Sequence, residues 1–143
     1  MTDENGGGEQ FSLVLFSGTD DKLTSASILV AGAAALGKRV DILLQYWALE
    51  AFQKDRVEKD HGLASEAGAE GASMLFRAGE RRGAHHWSET LRQAKDLGEV
   101  RIHACAHSME LFKLEQDDLD PLVDDVSGVA SFMADAAGQM VFV

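Results

Sequence analysis

Ser12-Leu-Val-Leu-Phe-Ser17, closed by Gly18, opens the stretch that decides the fold. A short unbroken apolar run bounded by a turn residue has the pattern of a strand buried on both faces. Thr19-Asp20-Asp21 follows with the chemistry of a helix start, and a long small-residue segment then runs to Gly37, a helix-stopping residue. Arg39-Val-Asp-Ile-Leu-Leu44 is a second strand of the same kind. Strand, helix and strand in about 30 residues make a βαβ unit, whose crossover is right-handed in nearly every case.

The alternation continues downstream. A second helix is expected from near Trp47 to Gln53. From Lys54 to Ala84 the pattern weakens: seven Gly or Ala residues between Gly62 and Ala72 read as a loop-rich insertion, with a broken helix around Gly71 to Phe76. Ser88 to Leu97 has helical character, with Ser88 as N-cap and Gly98 just past the end. Val100 to Cys105 is a third strand, followed by a short helix near Ser108 to Leu114 and a fourth strand near Leu122 to Val126. A last helix, Gly128 to Ala137, stops at Gly138, and Gln139 to Val143 is a fifth strand. This order predicts one α/β domain over residues 11–143: a three-layer α/β/α architecture with a five-stranded parallel sheet, doubly wound. Residues 1–10, with Gly6-Gly7-Gly8 and three acids, read as a flexible lead-in without the positive start or apolar stretch of a secretory signal.

The whole chain has 143 residues, of which 45% are hydrophobic and 26% charged, enough to bury a core as a single domain. Thirteen basic and 24 acidic residues leave a formal charge of −11, which argues against nucleic acid or an anionic membrane as partner. The longest apolar run, Ile28 to Leu36, falls short of the ~20 residues that span a bilayer, so it is expected to be a buried helix segment. A single cysteine excludes a disulfide framework and a four-cysteine zinc site, and fits a reducing compartment. A cytoplasmic protein is therefore expected.

That cysteine, Cys105, stands where the third strand ends and a helix begins, in Val100-Arg-Ile-His-Ala-Cys-Ala-His-Ser-Met-Glu110. In open parallel sheets ligand chemistry gathers at the carboxyl ends of strands. Free amides and the positive dipole end of the next helix would favour a thiolate or persulfide anion there. His103 and His107 would assist, while the stretch from Glu110 to Asp125, with seven acids and one lysine, would oppose. The rival reading is a small buried hydrophobe, which a free cysteine often is.

Ala104-Cys105-Ala106-His107-Ser108-Met109-Glu110-Leu111 resembles the signature of the DsrE/DsrF-like proteins, in particular the soluble DsrE-type, peroxiredoxin-like branch. The resemblance continues in Asp118-Leu119, Val123 to Val126, Gly128-Val129-Ala130-Ser131-Phe132, Ser17 to Lys22 and Tyr46-Trp47-Ala48-Leu49, and leaves out the lead-in and residues 54–84. It implies the five-stranded α/β domain, a trimer or hexamer, and sulfur relay between donor and acceptor proteins. Carried over, Cys105 is the persulfide carrier, a carrier or sulfurtransferase role that needs no cofactor. Ala106, His107, Ser108 and Met109 are its binding neighbours, with Trp47 and Gly18 from the two earlier blocks. Ser108 is expected to cap the helix. The family's common second cysteine is missing, so no internal resolving disulfide is possible, and its Gly-Gly pair is Ser127-Gly128 here.

Other signals are weaker. His103, Cys105 and His107 alternate, and with His85 and His86 they could form a metal site, but a helix starting near Ala106 breaks the period. Gly32 to Arg39 nearly matches a phosphate-binding loop, yet it closes a helix and enters a strand, the reverse of what that loop needs. The turn after the first strand lacks the dinucleotide glycines, and Asp20-Asp21 would repel a phosphate. No Gly-x-Ser-x-Gly elbow exists. Tyr46 and Trp47 could wall a pocket, form an oligomer contact, or pack in the core. Arg77, Arg81 and Arg82 form a small basic cluster that could dock an acidic partner or neighbouring subunit. Beside the sulfur carrier stand two alternatives: a non-enzymatic ligand or interaction module with a packed cysteine, and a His/Cys metal-binding protein.

Overall fold

The computed structural model describes residues 9–82 and 85–143. Its strands are β1 (Gln10–Leu15), β2 (Arg39–Leu44), β3 (Val100–Cys105), β4 (Asp125–Ser127) and β5 (Gln139–Phe142). Its helices are α1 (Asp20–Ala35), α2 (Tyr46–Ala51), α3 (Gly71–Arg82), α4 (Trp87–Leu97), α5 (Ala106–Phe112) and α6 (Val129–Asp135). All strands pair in parallel in the order β4-β3-β2-β1-β5. The chain winds from β1 out to β4, then crosses back to lay β5 on the other side of β1, which is double winding.

Strand alternation sorts the sheet into two unlike faces. Leu13, Leu15, Val40, Ile42, Leu44, Ile102 and Ala104 form one, and α1 and α4 cover it. On α1 the buried residues are Leu23, Ala26, Ser27, Val30, Ala33 and Ala34, a helical stripe. Ile28, Leu29 and Leu36 lie outside that stripe and are exposed, so the apolar run expected to be buried is only half buried. Gly37, at φ 81, ends α1: its N–H reaches the Ala34 carbonyl and that of Lys38 reaches Ala33, closing a Schellman turn.

The other face is thinner. Val14, Leu43 and Cys105 pack under Phe132, the one buried residue of α6. Beside them run the polar side chains of Asp41 and His103.

Several boundaries move for local reasons. The helix expected to break near Phe76 continues as α3 through Arg82, since no proline interrupts it. The side chains of Arg81 and Arg82, from the predicted basic cluster, lie outside the described residues, as do residues 1–8 of the predicted lead-in. At α4 the cap is His86, whose Nδ1 accepts the Ser88 N–H at 3.1 Å, while the expected cap Ser88 is buried and donates to Glu58 at 3.0 Å. β4 starts at Asp125, because Leu122 and Val123 are buried in a turn closed by Asp120, whose carboxylate accepts the Leu122 N–H at 2.9 Å.

Asp20 and Asp21 have a structural use. Asp20 accepts the Trp87 indole N–H at 3.0 Å and the His61 amide at 2.9 Å, and Asp21 accepts the Ala64 amide at 3.1 Å. The start of α1 is thereby tied to the 61–64 loop and to α4.

Candidate functional site

Cys105 is the last residue of β3, and its backbone forms the N-cap of α5. Period-two alternation points its side chain to the thin face, under Leu43 and Phe132, where it is 1% exposed. The sulfur makes no capping bond to the α5 amides. The expected priming by helix amides is thus not met, because strand geometry aims Sγ across the sheet while α5 leaves from the strand end. Its polar neighbour is instead Gln45, whose Nε2 lies 3.8 Å from Sγ. Gln45 was not singled out in the sequence; its place immediately after β2, one strand over from Cys105, was the available signal.

The residues following Cys105 divide. Ala106 and His107 are exposed, whereas Met109 is buried in the main core. Ser108 is fully buried and does not cap α5: its hydroxyl accepts the Tyr46 backbone N–H at 3.1 Å, because α5 already begins two residues earlier. That bond staples the end of β2 to α5. Tyr46 sits at φ 47, a conformation rare for a bulky residue, and this sharp corner turns Trp47 outward, where it is 51% exposed. Trp47 is therefore no core residue. Gly18 packs so tightly on this corner that an added Cβ would fall 2.4 Å from the Trp47 carbonyl oxygen.

An aromatic ridge lines the carboxyl edge of the sheet. Phe142, Phe16 and Tyr46 follow one another at ring separations of 5.9 and 5.1 Å, and Phe112 lies 6.0 Å from Tyr46 and 5.7 Å from Trp47.

On the thin face, His103 bridges two strands. Its Nε2 is 2.9 Å from Asp41 on β2 and its Nδ1 is 2.6 Å from Asp125 on β4. Gln10 and Arg39 also hold Asp41, at 2.9 and 3.0 Å. The hydrogen bond to Asp41 is the largest influence on His103 and raises its pKa; burial opposes this, and Asp125 adds to the rise. For Asp41 burial is the largest single influence and pushes upward, but the His103 bond, the Arg39 and His103 charges and the Gln10 amide together bring it below the ordinary value. Asp41 was legible as the lone acid within a largely apolar strand. Asp125, half-exposed in an acidic stretch, carried no such signal.

With both nitrogens on carboxylates, His103 has no free position for a metal. His107 leaves the face of His103 and Cys105 because α5 begins at Ala106. Among the described residues, no group of three or more His, Cys, Asp or Glu side chains is placed to hold a metal ion. No helix among the described residues is long and apolar enough to cross a membrane.

The family model described as "DsrE/DsrF/DrsH-like family" matches residues 8–82, just over half the chain. This chain belongs to that family. The DsrE/DsrF-like match takes in β1 through α3, including the segment that the sequence pattern had set apart as an insertion, and it ends before Cys105. The chain is 29% identical to the uncharacterized protein YrkE of Bacillus subtilis (strain 168), over 87% of its own length and 89% of YrkE. The fold is similar to that of the YchN protein of E. coli, with a TM-score of 0.55 at 14% identity. It is likewise similar to MTH1491 of Methanobacterium thermoautotrophicum, a protein of unknown function, with a TM-score of 0.51 at 14% identity. Both comparisons span 94% of this chain and 99% of the other. The predicted five-stranded parallel α/β fold is the one observed.

Proposed function

We propose that this DsrE/DsrF-like chain is a sulfur-relay protein that carries sulfane sulfur on Cys105 and passes it to a partner. The supporting observation is the setting of that sulfur: at the carboxyl end of β3, touched by the Gln45 amide and closed over by a lid with one buried side chain. In loading, the Cys105 thiolate attacks the outer sulfur of a donor persulfide. A bond forms from Sγ to that sulfur, the donor S–S bond breaks, and the donor leaves as a thiolate. Transfer repeats the exchange, with Cys105 as the leaving thiolate. No net oxidation occurs, so neither cofactor nor second cysteine is required. The Gln45 N–H is a donor aimed at the sulfur that attacks and later leaves.

Access requires α6 to move. Of its seven residues only Phe132 is buried, while Val129 and Met133 are exposed, so lifting it is a local opening. The exposed apolar side chains there and on β5, Met140 and Phe142, support a homo-oligomer built on this side.

The 1% exposure of Cys105 favours a second reading, a ligand or interaction module with a packed cysteine. One experiment separates them. Incubation with polysulfide or thiosulfate is followed by intact mass before and after dithiothreitol. A reducible gain of sulfur that disappears in Cys105→Ser is expected of a carrier; no gain, with alkylation only after denaturation, selects the packed module.

A further inference from the structure

A cavity of about 400 Å³ opens at the carboxyl ends of β1 and β2, between the β1–α1 turn, α2 and the loop through Arg56 and Asp60. Cys105 does not line it. Ligand sites in doubly wound sheets sit at this edge, and the volume falls in their range. Its walls carry an unusual set of charges. Arg56 and Glu50 both face the cavity, yet they form no ion pair with each other, and neither side chain has a hydrogen bond or salt bridge to any described residue. Lys22 is held only loosely, 3.9 Å from Glu66. Asp60 adds a second carboxylate, one oxygen of which takes the Gly62 amide. Trp47, turned outward by the Tyr46 corner and half exposed, lines the cavity as well.

Opposite charges that share a cavity without pairing leave space for a ligand bearing both. A phosphate or other polyanion would meet the carboxylates of Glu50 and Asp60, and a plain cation would meet Arg56 and Lys22. We propose that this cavity binds a free α-amino acid, its carboxylate on Arg56 and Lys22, its ammonium on Glu50, and its side chain laid over Trp47. The exposed indole favours an apolar, thioether or aromatic side chain.

Isothermal titration of the full chain with L-methionine and L-phenylalanine tests this. Trp47 emission gives a second readout, since Trp87 is 1% exposed and does not line the cavity. Saturable binding of at least one amino acid is expected. Arg56→Gln and Glu50→Gln should each weaken it about tenfold or more, the worth of a charged hydrogen bond. The N-acetyl and amide derivatives, each lacking one charge, should lose binding, and Cys105→Ser should leave it unchanged, which keeps this site separable from the sulfur chemistry. No saturable binding of either amino acid, equal binding of the blocked derivatives, unchanged affinity in either charge variant, or loss in Cys105→Ser would overturn the proposal.

Discussion

Gln45 Nε2 lies 3.8 Å from Cys105 Sγ, reaching it from the end of the neighbouring strand. A neutral amide donor beside a sealed sulfur hydrogen-bonds the reacting atom without bringing in a competing charge. Replacing it by leucine, of similar size but without the N–H, should therefore slow both polysulfide loading and native-state iodoacetamide labelling of Cys105. The expected reduction is about tenfold, at the low end for a hydrogen bond to a charged group. Equal rates for Gln45→Leu and the parent chain, measured by mass spectrometry at fixed pH, would remove Gln45 from the chemistry.

Phe132 is the lid over that sulfur. Phe132→Ala should speed labelling of native Cys105 by tenfold or more, since opening no longer has to lift a buried ring. The same change should cost about 3 kcal/mol of stability by urea unfolding, the low end for a buried phenylalanine. If labelling stays at the parent rate while stability falls, access runs by another route than α6.

The Asp41–His103–Asp125 bridge makes stability pH-dependent, with a definite sign. His103 has a raised pKa, so its contribution is complete below 6.5 and fades as pH climbs through the raised value. Asp41 has a lowered pKa, so its contribution is complete above 3.8 and fades as pH falls through the lowered value. Both act together between 3.8 and 6.5. His103→Asn should destabilise most in that window, by about 2 kcal/mol, and progressively less toward alkaline pH. Urea melts across the pH range would show it; a difference that does not vary with pH would mean the imidazole is held uncharged.

Two glycines should respond in opposite ways to alanine. At Gly18 the new Cβ would strike the Trp47 carbonyl oxygen at 2.4 Å, backbone that cannot step aside cheaply. Gly18→Ala should lose about 2 kcal/mol or more and shift Trp47 emission. At Gly32, inside α1, nothing lies within 4 Å, so Gly32→Ala should gain about 0.5–1 kcal/mol from helix propensity. Thermal melts of the two variants should move to either side of the parent.

Much of the architecture was readable in order. The limits of β2 and β3 coincide with the predicted ones because each carries its apolar residues at consecutive or alternate positions and ends at a change of composition. Helix starts were less legible. His86 replaces Ser88 as a cap, and Ser108 serves Tyr46 in place of α5, because a short polar side chain binds whichever amide the packing presents. Of the site, Cys105 could be placed at a strand end from its neighbours alone. Its contact with Gln45 could not, since the two are 60 residues apart and meet only through the register of β2 with β3.

Periodicity and turn residues act over a few neighbours, so the amino-acid order by itself determined the succession of strands and helices, the parallel sheet and the position of the lone thiol at its carboxyl edge. Which face that thiol takes, how deeply Phe132 covers it, and which carboxylates hold His103 were decided by tertiary structure. Those relations depend on strand order and on the uneven cover of the two faces, with α1 and α4 over one and little more than α6 over the other. A side chain's exposure is set by what the rest of the chain lays across it, and that is a sum over distant residues.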